Sequence, residues 1–430
     1  LLLVCAAGLI IFGNAALLGR EQGKDAGFLA RNAYKLASIP DDLIILAREG
    51  LEFDPNRGLV ERNPQILDYE AEVELMRTDQ NFVDQGLLLV SSYNPEHRIS
   101  TVCLYDLENG KVLWEWVPDY NEIVESVPSF KRLRDAGKPI THENSRELFR
   151  TQHPLLLEDG SIIFTSGEGP LFRLSAKGEI IWAIEAHFHH SIERTKEGHL
   201  IVPLSSLRGK YRDEGIAVIN LDGELQHHYS VIDILESNGY RGLLYGVGKA
   251  ESDLIHLNDA EEIHHGDQWV DAGDIMLSSR HLSTVFLYRP SENRVVWLKT
   301  GPWLAQHDVD YLGEGKFVVF GNDLARGHQW GDDEHSTLYV YDMKTDTITQ
   351  PYEEVFRENQ LRTKTQGLQR ILRNGDAFIE LQNSGVLMRV SPQKVRWSYV
   401  NLIGDNEIGI VHWCRYYYRD EVDLNWLDKP

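Results

Sequence analysis

Four histidines recur at the same place in a repeated sequence pattern, which points to chemistry shared by several segments. They are His153, His190, His256 and His307, and each begins a run that leads through mostly apolar residues to a turn glycine. An imidazole can bind a metal ion, transfer a proton or act as a nucleophile. We therefore interpret the aligned set as a candidate reaction centre, whereas the histidines outside this register read as ordinary surface or core residues.

One cation accompanies these histidines. Arg280 lies at the far end of the apolar strand that follows His256, where the corresponding residues of three other segments are Gly167, Ser205 and Asn322. A guanidinium repels a metal ion but matches a tetrahedral oxyanion, so the set favours transfer of a sulfuryl or phosphoryl group. One imidazole would attack that group while the other polar groups stabilise its oxygens or move protons. We predict no metal and no cofactor, and the sequence has no Walker-type loop for a nucleotide.

Short β-strands are the elements that must position these residues. From about residue 86, runs rich in Val, Ile, Leu, Phe and Tyr alternate with Gly or Asp turns, and the unit recurs six times up to about residue 400. Such units are typical of propeller blades, whose innermost strands line a central channel. We therefore predict an all-β fold, a six-bladed β-propeller over residues 86–430, with the aligned histidines converging near its axis. A C-terminal strand is expected to complete the first sheet and close the ring.

The N-terminal residues have a different character. Residues 1–19 are almost all apolar and long enough for a transmembrane helix, with basic residues following from Arg20. Residues 20–85 show helical spacing of apolar residues and predict a helical or loop linker. We expect a membrane anchor with the propeller on the periplasmic or extracytoplasmic side; an apolar helix docked on a partner is the alternative.

Charge and cysteine content narrow the possible partners. The 430 residues carry a formal net charge of −23, which argues against nucleic-acid binding because phosphate neutralisation needs clustered Lys and Arg. A local basic pocket on such a chain remains compatible with a small anionic substrate. Cys103 and Cys414 either form a disulfide or are both buried thiols.

Three segments resemble blade motifs of the bacterial arylsulfotransferases. They are HHSIERTKEGHLIV, IHLNDAEEI with GDIMLSSRHLSTVF, and QHDVDYLGEGKFVVFGND. The resemblance implies a periplasmic six-bladed propeller that transfers a sulfuryl group from a phenolic sulfate ester to a phenolic or other hydroxyl acceptor. It also implies a PAPS-independent reaction, which needs no nucleotide donor, through a sulfohistidine intermediate.

The same resemblance implies roles for individual residues. His307 corresponds to the sulfated nucleophile, and the other catalytic residues are ligands of the sulfuryl oxygens and acid–base groups, namely His190, His256 and Arg280. Asn258 is expected to bind substrate as a neighbour of His256. The alignment of His153 with the other histidines adds it to the substrate-binding residues.

This sequence departs from the family in three respects. The helical stretch before residue 86 is too short for the N-terminal β-sandwich of the better-known members. Ser191 stands where the family commonly has Asp, and an insert at residues 261–272 is expected beside the site. These differences bear on the identity of the substrate and on oligomer contacts more than on the fold.

Two other functions are compatible with the sequence. A non-catalytic propeller could bind anionic ligands or serve as a scaffold subunit of a membrane-associated assembly. A metallo- or quinone-dependent oxidoreductase fits less well, because quinone-dependent propellers use eight blades and a calcium site. For the leading function the expected partners are an aryl sulfate, a phenolic acceptor and the membrane, with a homo-oligomer or a membrane complex left open.

Overall fold

The computed structural model describes residues 60–61, 75–79, 81–140, 144–146, 148–209, 211–246, 252–325, 335–404 and 407–427. All of them fall in one compact unit, Gly58–Pro430. The predicted transmembrane segment, residues 1–19, and most of the predicted linker lie outside the described residues. Within the described ranges, no helix is both long enough and apolar enough to cross a membrane.

Short β-strands make up most of the regular structure. In the first half of the chain they are β1 (Val60–Glu61), β2 (Leu75–Arg77), β3 (Leu87–Asn94), β4 (Ile99–Asp106), β5 (Lys111–Trp116), β6 (Gln152–Leu156), β7 (Ile162–Thr165), β8 (Gly169–Leu174), β9 (Ile180–Phe188), β10 (Glu193–Arg194), β11 (Leu200–Arg208), β12 (Tyr211–Ile219) and β13 (Leu225–Ser230). In the second half they are β14 (Leu257–Glu262), β15 (Ile275–Ser279), β16 (Thr284–Arg289), β17 (Arg294–Thr300), β18 (Val309–Gly313), β19 (Lys316–Gly321), β20 (Thr337–Asp342), β21 (Thr347–Thr349), β22 (Leu368–Ile371), β23 (Ala377–Leu381), β24 (Val386–Val390), β25 (Val395–Val400), β26 (Leu402–Gly404), β27 (Glu407–Gly409) and β28 (Arg415–Tyr417).

The few helices are short and connect neighbouring sheets. The α-helices are α1 (Tyr120–Ser126), α2 (Pro128–Asp135), α3 (Val231–Ser237), α4 (Arg241–Tyr245) and α5 (Glu353–Glu358), and the 3-10 turns are Pro290–Glu292, Gln382–Ser384 and Arg419–Glu421. Polar N-cap residues precede two of these helices. The side chains of Asp119 and Ser230 accept hydrogen bonds from backbone N–H groups in the first turns of α1 and α3.

Antiparallel pairing of consecutive strands builds a propeller-like set of sheets. Strands β14 to β17 form one four-stranded sheet and β18 to β21 another; β22 to β25 form a third with β2 added at its edge. Strands β3 to β5 are joined by β28, and β6 to β13 make one eight-stranded sheet because β9 also pairs with β11. The second strands of three units, β7, β15 and β23, are buried throughout. Burial on both faces explains why the sequence shows continuous apolar runs there rather than alternation.

The chain ends meet in the first sheet. The C-terminal strand β28 pairs antiparallel with β3, with Arg415 opposite Leu89, so this sheet combines strands from both ends of the described chain. Cys103 and Cys414 are not joined by a disulfide, so that alternative is wrong; Cys414 is buried and Cys103 is half-buried. Cys103 lies on β4 and Cys414 directly precedes β28, on opposite sides of β3. Two inter-strand spacings amount to about 10 Å, more than a disulfide can bridge.

The predicted helical or loop linker, residues 20–85, differs from the structure at two short stretches, while the described residues 78–79 and 81–85 have no regular structure. Val60–Glu61 and Leu75–Arg77 are strands: β1 pairs with β27, and β2 pairs with the outermost strand β25. An outer strand presents unpaired N–H and C=O groups, so a passing segment gains hydrogen bonds by adding to it. The segments with helical spacing, residues 26–37 and 41–51, lie outside the described residues.

A buried ionic network joins the segment before β3 to two sheets. The carboxylate of Asp84 accepts hydrogen bonds from Arg389 Nη1 at 2.7 Å, Trp397 Nε1 at 2.7 Å and the Tyr416 hydroxyl at 2.8 Å. These partners belong to β24, β25 and β28, so one carboxylate holds the junction where the last sheet meets the first.

Replacing Asp84 by Ala should therefore destabilise the protein markedly. The change removes the negative charge beside the buried Arg389 guanidinium and the hydrogen-bond acceptor of Trp397 Nε1 and the Tyr416 hydroxyl. The free energy of unfolding should therefore fall by about 3 kcal/mol. Urea denaturation followed by tryptophan fluorescence measures this. Asp135→Ala, which removes an exposed carboxylate, is the control and should change stability by less than about 0.5 kcal/mol. Equal effects in both variants would contradict a role of the network in joining the last sheet to the first.

Candidate active site

A left-handed backbone recurs where the chain enters the innermost strands. His153, His190 and His256 have φ values of 50°, 58° and 51°, and Gln366 and Trp413 have 61° and 57°. Residues other than glycine seldom occupy this region, which costs about 1–2 kcal/mol per residue. Its repetition at five equivalent entries indicates that the fold needs the side chains in these orientations.

Two of these entry residues, His190 and His256, lie close to His307, and we call the three imidazoles the histidine cluster. The ring centroids of His190 and His256 are 5.4 Å apart, and those of His190 and His307 are 6.0 Å apart. The three residues come from different sheets and are far apart in the sequence. Their alignment in the repeats thus corresponds to contact in space.

Both ring nitrogens of His307 are hydrogen-bonded. Nδ1 lies 2.7 Å from Asn322 Oδ1, so it carries the proton and donates it, while Nε2 accepts the backbone N–H of Gln366 at 2.8 Å. Burial, and then the positive charge of Arg280, hold the pKa of His307 well below its usual range. The ring is therefore neutral, with a lone pair on Nε2, which is the form that a nucleophilic imidazole requires.

A chain of hydrogen bonds lies behind His190. Its Nδ1 is 2.8 Å from Nδ1 of His189, whose Nε2 is 2.8 Å from the buried carboxylate of Glu214. On the other side, Nε2 of His190 is 3.3 Å from the Gln366 side-chain amide. Donation from the Gln366 amide to His190, from His190 to His189 and from His189 to Glu214 satisfies every member. Burial, and then the neighbouring His189, hold the pKa of His190 well below its usual range.

A carboxylate also supports His256. Asp253 accepts the His256 Nδ1–H at 2.7 Å and its backbone N–H at 2.9 Å. Although burial opposes it, the hydrogen bond from His256 keeps the pKa of Asp253 well below its usual range. Arg212 connects the two supporting acids, since its guanidinium is 2.9 Å from Glu214 and 4.0 Å from Asp253.

Arg280 is the cation of the site. Its backbone N–H donates to the carbonyl of His256, which fixes the residue beside the cluster, and its charge lowers the pKa of His307. The buried Nε of Arg280 finds no hydrogen-bond partner among the described residues. A buried, unsatisfied guanidinium donor next to neutral imidazoles suits an anionic ligand.

One group of described residues has metal-ligand spacing. The ligand atoms of Asp253, His256 and His281 lie within 4.8 Å of one another. The ring of His281 stacks on that of His256 with a centroid distance of 4.6 Å. The Arg280 charge acts on this group, because it contributes to lowering the pKa of His281, and it opposes a bound cation there.

The two predicted substrate-binding residues occupy different places. Asn258 donates from Nδ2 to the carbonyl of Gln306 at 2.8 Å, so it holds the backbone just before His307, and its buried Oδ1 is unpaired within the described part of the chain. His153 packs its ring on Trp413 with a centroid distance of 5.1 Å. Its Nδ1 accepts the Ile192 N–H, and the residue lines a separate cavity rather than joining the histidine cluster.

The insert predicted beside the site lies at the other end of the sheet. Residues 261 and 262 belong to β14, and the following loop packs against the β18–β19 hairpin, where Tyr311 donates to Asp267 and Trp269 covers Gly315. A strand rises about 3.3 Å per residue, so the six residues of β14 carry the chain about 20 Å from its entry near His256. The expectation that the insert borders the histidine cluster is therefore wrong.

Several residues of the site were not identified from the sequence. They are His189, Arg212, Glu214, Asp253, Asn322 and Gln366. Asn322 was recognised only as the register equivalent of Arg280, which is a usable signal for a residue near the axis. His189 is adjacent to His190, and Asp253 precedes His256 by three residues, but neither spacing alone identifies a partner. Glu214 and Arg212 lie on β12, in the same repeat as His190 but more than 20 residues later, and give no local signal.

Comparisons with known proteins place this geometry in a family. Residues 153–401 match the model of the arylsulfotransferase (ASST) family. No curated protein sequence matches the chain significantly. Among solved structures, a protein of unknown function from Bacteroides caccae is 12% identical, with a TM-score of 0.48 over 78% of this chain and 99% of that one. Hydrazine synthase of Kuenenia stuttgartiensis is 12% identical, with a TM-score of 0.42 over 75% of this chain and 79% of that one.

The matched region includes the whole histidine cluster and Arg280. It extends over more than half of the 430 residues. Membership of this family supports an arylsulfotransferase-like function in general terms. The protein belongs to the arylsulfotransferase family.

Proposed function

We propose that this protein is a PAPS-independent aryl sulfotransferase that transfers a sulfuryl group between hydroxyl compounds through a sulfohistidine at His307. The observation that carries the proposal is the neutral imidazole of His307, with its Nε2 lone pair, beside the unsatisfied guanidinium of Arg280. Neutral nucleophile and cationic oxyanion ligand are the two groups that transfer of a charged sulfuryl requires.

The first half-reaction forms the covalent intermediate. Nε2 of His307 exchanges its hydrogen bond from the Gln366 N–H for the sulfur of the aryl sulfate. An N–S bond forms as the S–O bond to the aryl group breaks, and the phenolate leaves. Arg280 stabilises the sulfuryl oxygens, and His256, oriented by its hydrogen bond to Asp253, lies beside them as an acid–base group. The freed Gln366 N–H can donate to the same oxygens.

The second half-reaction returns the enzyme to its starting state. An acceptor hydroxyl attacks the sulfur of the sulfohistidine, its O–S bond forms and the N–S bond breaks. His190 takes the hydroxyl proton on Nε2, and its Nδ1–H moves closer to His189 and Glu214, whose carboxylate stabilises the added positive charge. The proton then passes from His190 to solvent or to the phenolate released in the first step, which restores the neutral imidazole.

We further infer that the sheets are six blades of one propeller. The eight-stranded sheet contributes two blades, β6 to β9 and β10 to β13, and the other four sheets that contain four consecutive strands, or β28 with β3 to β5, contribute one each. One left-handed entry or cluster histidine accompanies each of the six innermost strands. The membrane anchor at residues 1–19 and the extracytoplasmic location belong to the same proposal, since they rest on the sequence.

His307→Ala should abolish sulfuryl transfer while leaving the fold intact. Without an Nε2 lone pair no N–S bond can form, so turnover of a chromogenic aryl sulfate with a phenolic acceptor should fall by at least about 10³-fold. His227→Ala, which removes an exposed histidine far from the cluster, is the matched control and should keep full activity. Intact-mass analysis after donor alone should show a sulfuryl adduct in the wild type only. Turnover or an adduct in His307→Ala would reject this nucleophile, and a wild type that binds without turnover would favour the scaffold function.

Glu214→Gln should slow the acceptor half-reaction selectively. The change keeps the shape of the side chain but removes the charge that stabilises protonated His190 through His189, so turnover should fall about ten-fold or more. The burst of phenol released from the donor should persist, because formation of the sulfohistidine does not need that base. Stopped-flow absorbance separates the two phases. A burst reduced as strongly as turnover would indicate a purely structural role for Glu214.

A further inference from the structure

A second cavity contains charge that the proposed sulfuryl transfer does not use. It has a volume of about 550 Å³, and we call it the carboxylate cavity, because Asp259, Glu261, Asp308 and Asp310 line it. Asp259 and Asp308 are buried, and the other two are half-buried. All four lie on or directly before the neighbouring innermost strands β14 and β18, beyond the entries that carry the histidine cluster.

The cationic side chains around this cavity are already paired. Arg415 lies 3.1 Å from Glu193, and Arg370 lies 2.6 Å from Glu421. Within the described residues, none of the four carboxylates that define the cavity forms an ion pair with a Lys or Arg. Several ionised carboxylates in one desolvated space are unstable unless a positive charge enters.

The backbone holds these carboxylates in place. Asp259 Oδ2 accepts the Val309 N–H at 3.1 Å, and Asp308 Oδ2 accepts the Gln369 N–H at 2.9 Å. Each bond crosses from one innermost strand to the next, so the acids cannot turn away to solvent. Burial, and then repulsion from Glu193, raises the pKa of Asp259 to about 7, in keeping with a space that takes up positive charge.

A neutral oxygen in the cavity also lacks a partner. Gln369 is 1% exposed, and its Nε2 donates to Asp310 Oδ2 at 3.2 Å. This bond fixes the amide, and the buried Oε1 has no hydrogen-bond partner among the described residues. A buried amide oxygen beside carboxylates is the ligand type that Ca²⁺ and Mg²⁺ prefer.

We propose that the carboxylate cavity binds one hydrated divalent cation, with Asp308, Asp310 and Gln369 Oε1 as its protein ligands. The cavity is large enough to keep several water molecules around the ion, each of which needs about 30 Å³. Water completes the coordination, as it commonly does for Mg²⁺. The proposal does not depend on sulfuryl transfer, which should proceed at the histidine cluster by the same chemical steps.

Calorimetric titration tests this site. The full chain is treated with chelator, dialysed and titrated with MgCl₂ and, separately, with CaCl₂ at about pH 7.5, where carboxylates compete well with protons. One of the two ions should bind with a stoichiometry near one and raise the unfolding temperature. Asp310→Asn should weaken this binding about ten-fold or more, because it removes a ligand charge. Asp346→Asn, which alters an exposed carboxylate, should bind as the wild type does.

Two results would overturn the proposal. If neither ion gives binding heat or stabilisation, protonation alone neutralises the negative charge of the carboxylates. Unchanged binding in both Asp310→Asn and Gln369→Leu would place the ion elsewhere, and its loss in His281→Ala would locate it at Asp253, His256 and His281. Gln369→Leu removes the neutral oxygen without changing a charge, so it keeps the test decisive if Asp310→Asn does not fold.

Discussion

The left-handed backbone at the strand entries is the constraint on which the site depends. Extended residues would point their side chains along the strand walls, whereas a positive φ at His190 and His256 accompanies direct contact between their rings. The strain is offset by hydrogen bonds that only this geometry makes. Asp253, for example, accepts both the backbone N–H and the ring N–H of His256. The strained backbone and the supporting carboxylate therefore form one structural device.

The burial and the supporting carboxylates also determine the charge of the site. Burial lowers the pKa of both His190 and His307, which favours their neutral forms. Arg280 therefore carries a positive charge in the site irrespective of the protonation of these two imidazoles. Three charged imidazoles beside it would repel one another strongly in a desolvated space. Protonation of one imidazole at a time is tolerated because Glu214 and Asp253 stand behind the cluster. Arg212 links these two acids, because its guanidinium lies 2.9 Å from Glu214 and 4.0 Å from Asp253.

The sequence predicts positions in register better than it predicts contacts between sheets. The aligned histidines, Arg280 and the propeller-like strand pattern are visible because the repeats place equivalent residues at equivalent depths. The partners of these residues are not visible, since Glu214 contacts His189 from a strand 25 residues later in the chain and Gln366 contacts both His190 and His307 from another sheet. The two strands before residue 86 are not visible for the same reason. The strands β1 and β2 exist only because the edges of other sheets offer them hydrogen bonds.

Along the innermost strands, the histidine cluster with Arg280 and a set of carboxylates lie at different positions. Each residue of the histidine cluster is followed three positions later by a carboxylate, in the order Glu193, Asp259 and Asp310. Three extended residues span about 10 Å, so the acids are too far from the imidazoles to contact a bound sulfuryl group. They are still close enough to repel it, because two unit charges 10 Å apart interact by about 1–2 kcal/mol at an effective dielectric constant of about 20. Glu193 pairs with Arg415, whereas neither Asp259 nor Asp310 forms an ion pair with Lys or Arg in the described part of the chain. Under the proposed function, an anionic substrate at the histidine cluster would therefore bind more tightly when a cation occupies the carboxylate cavity.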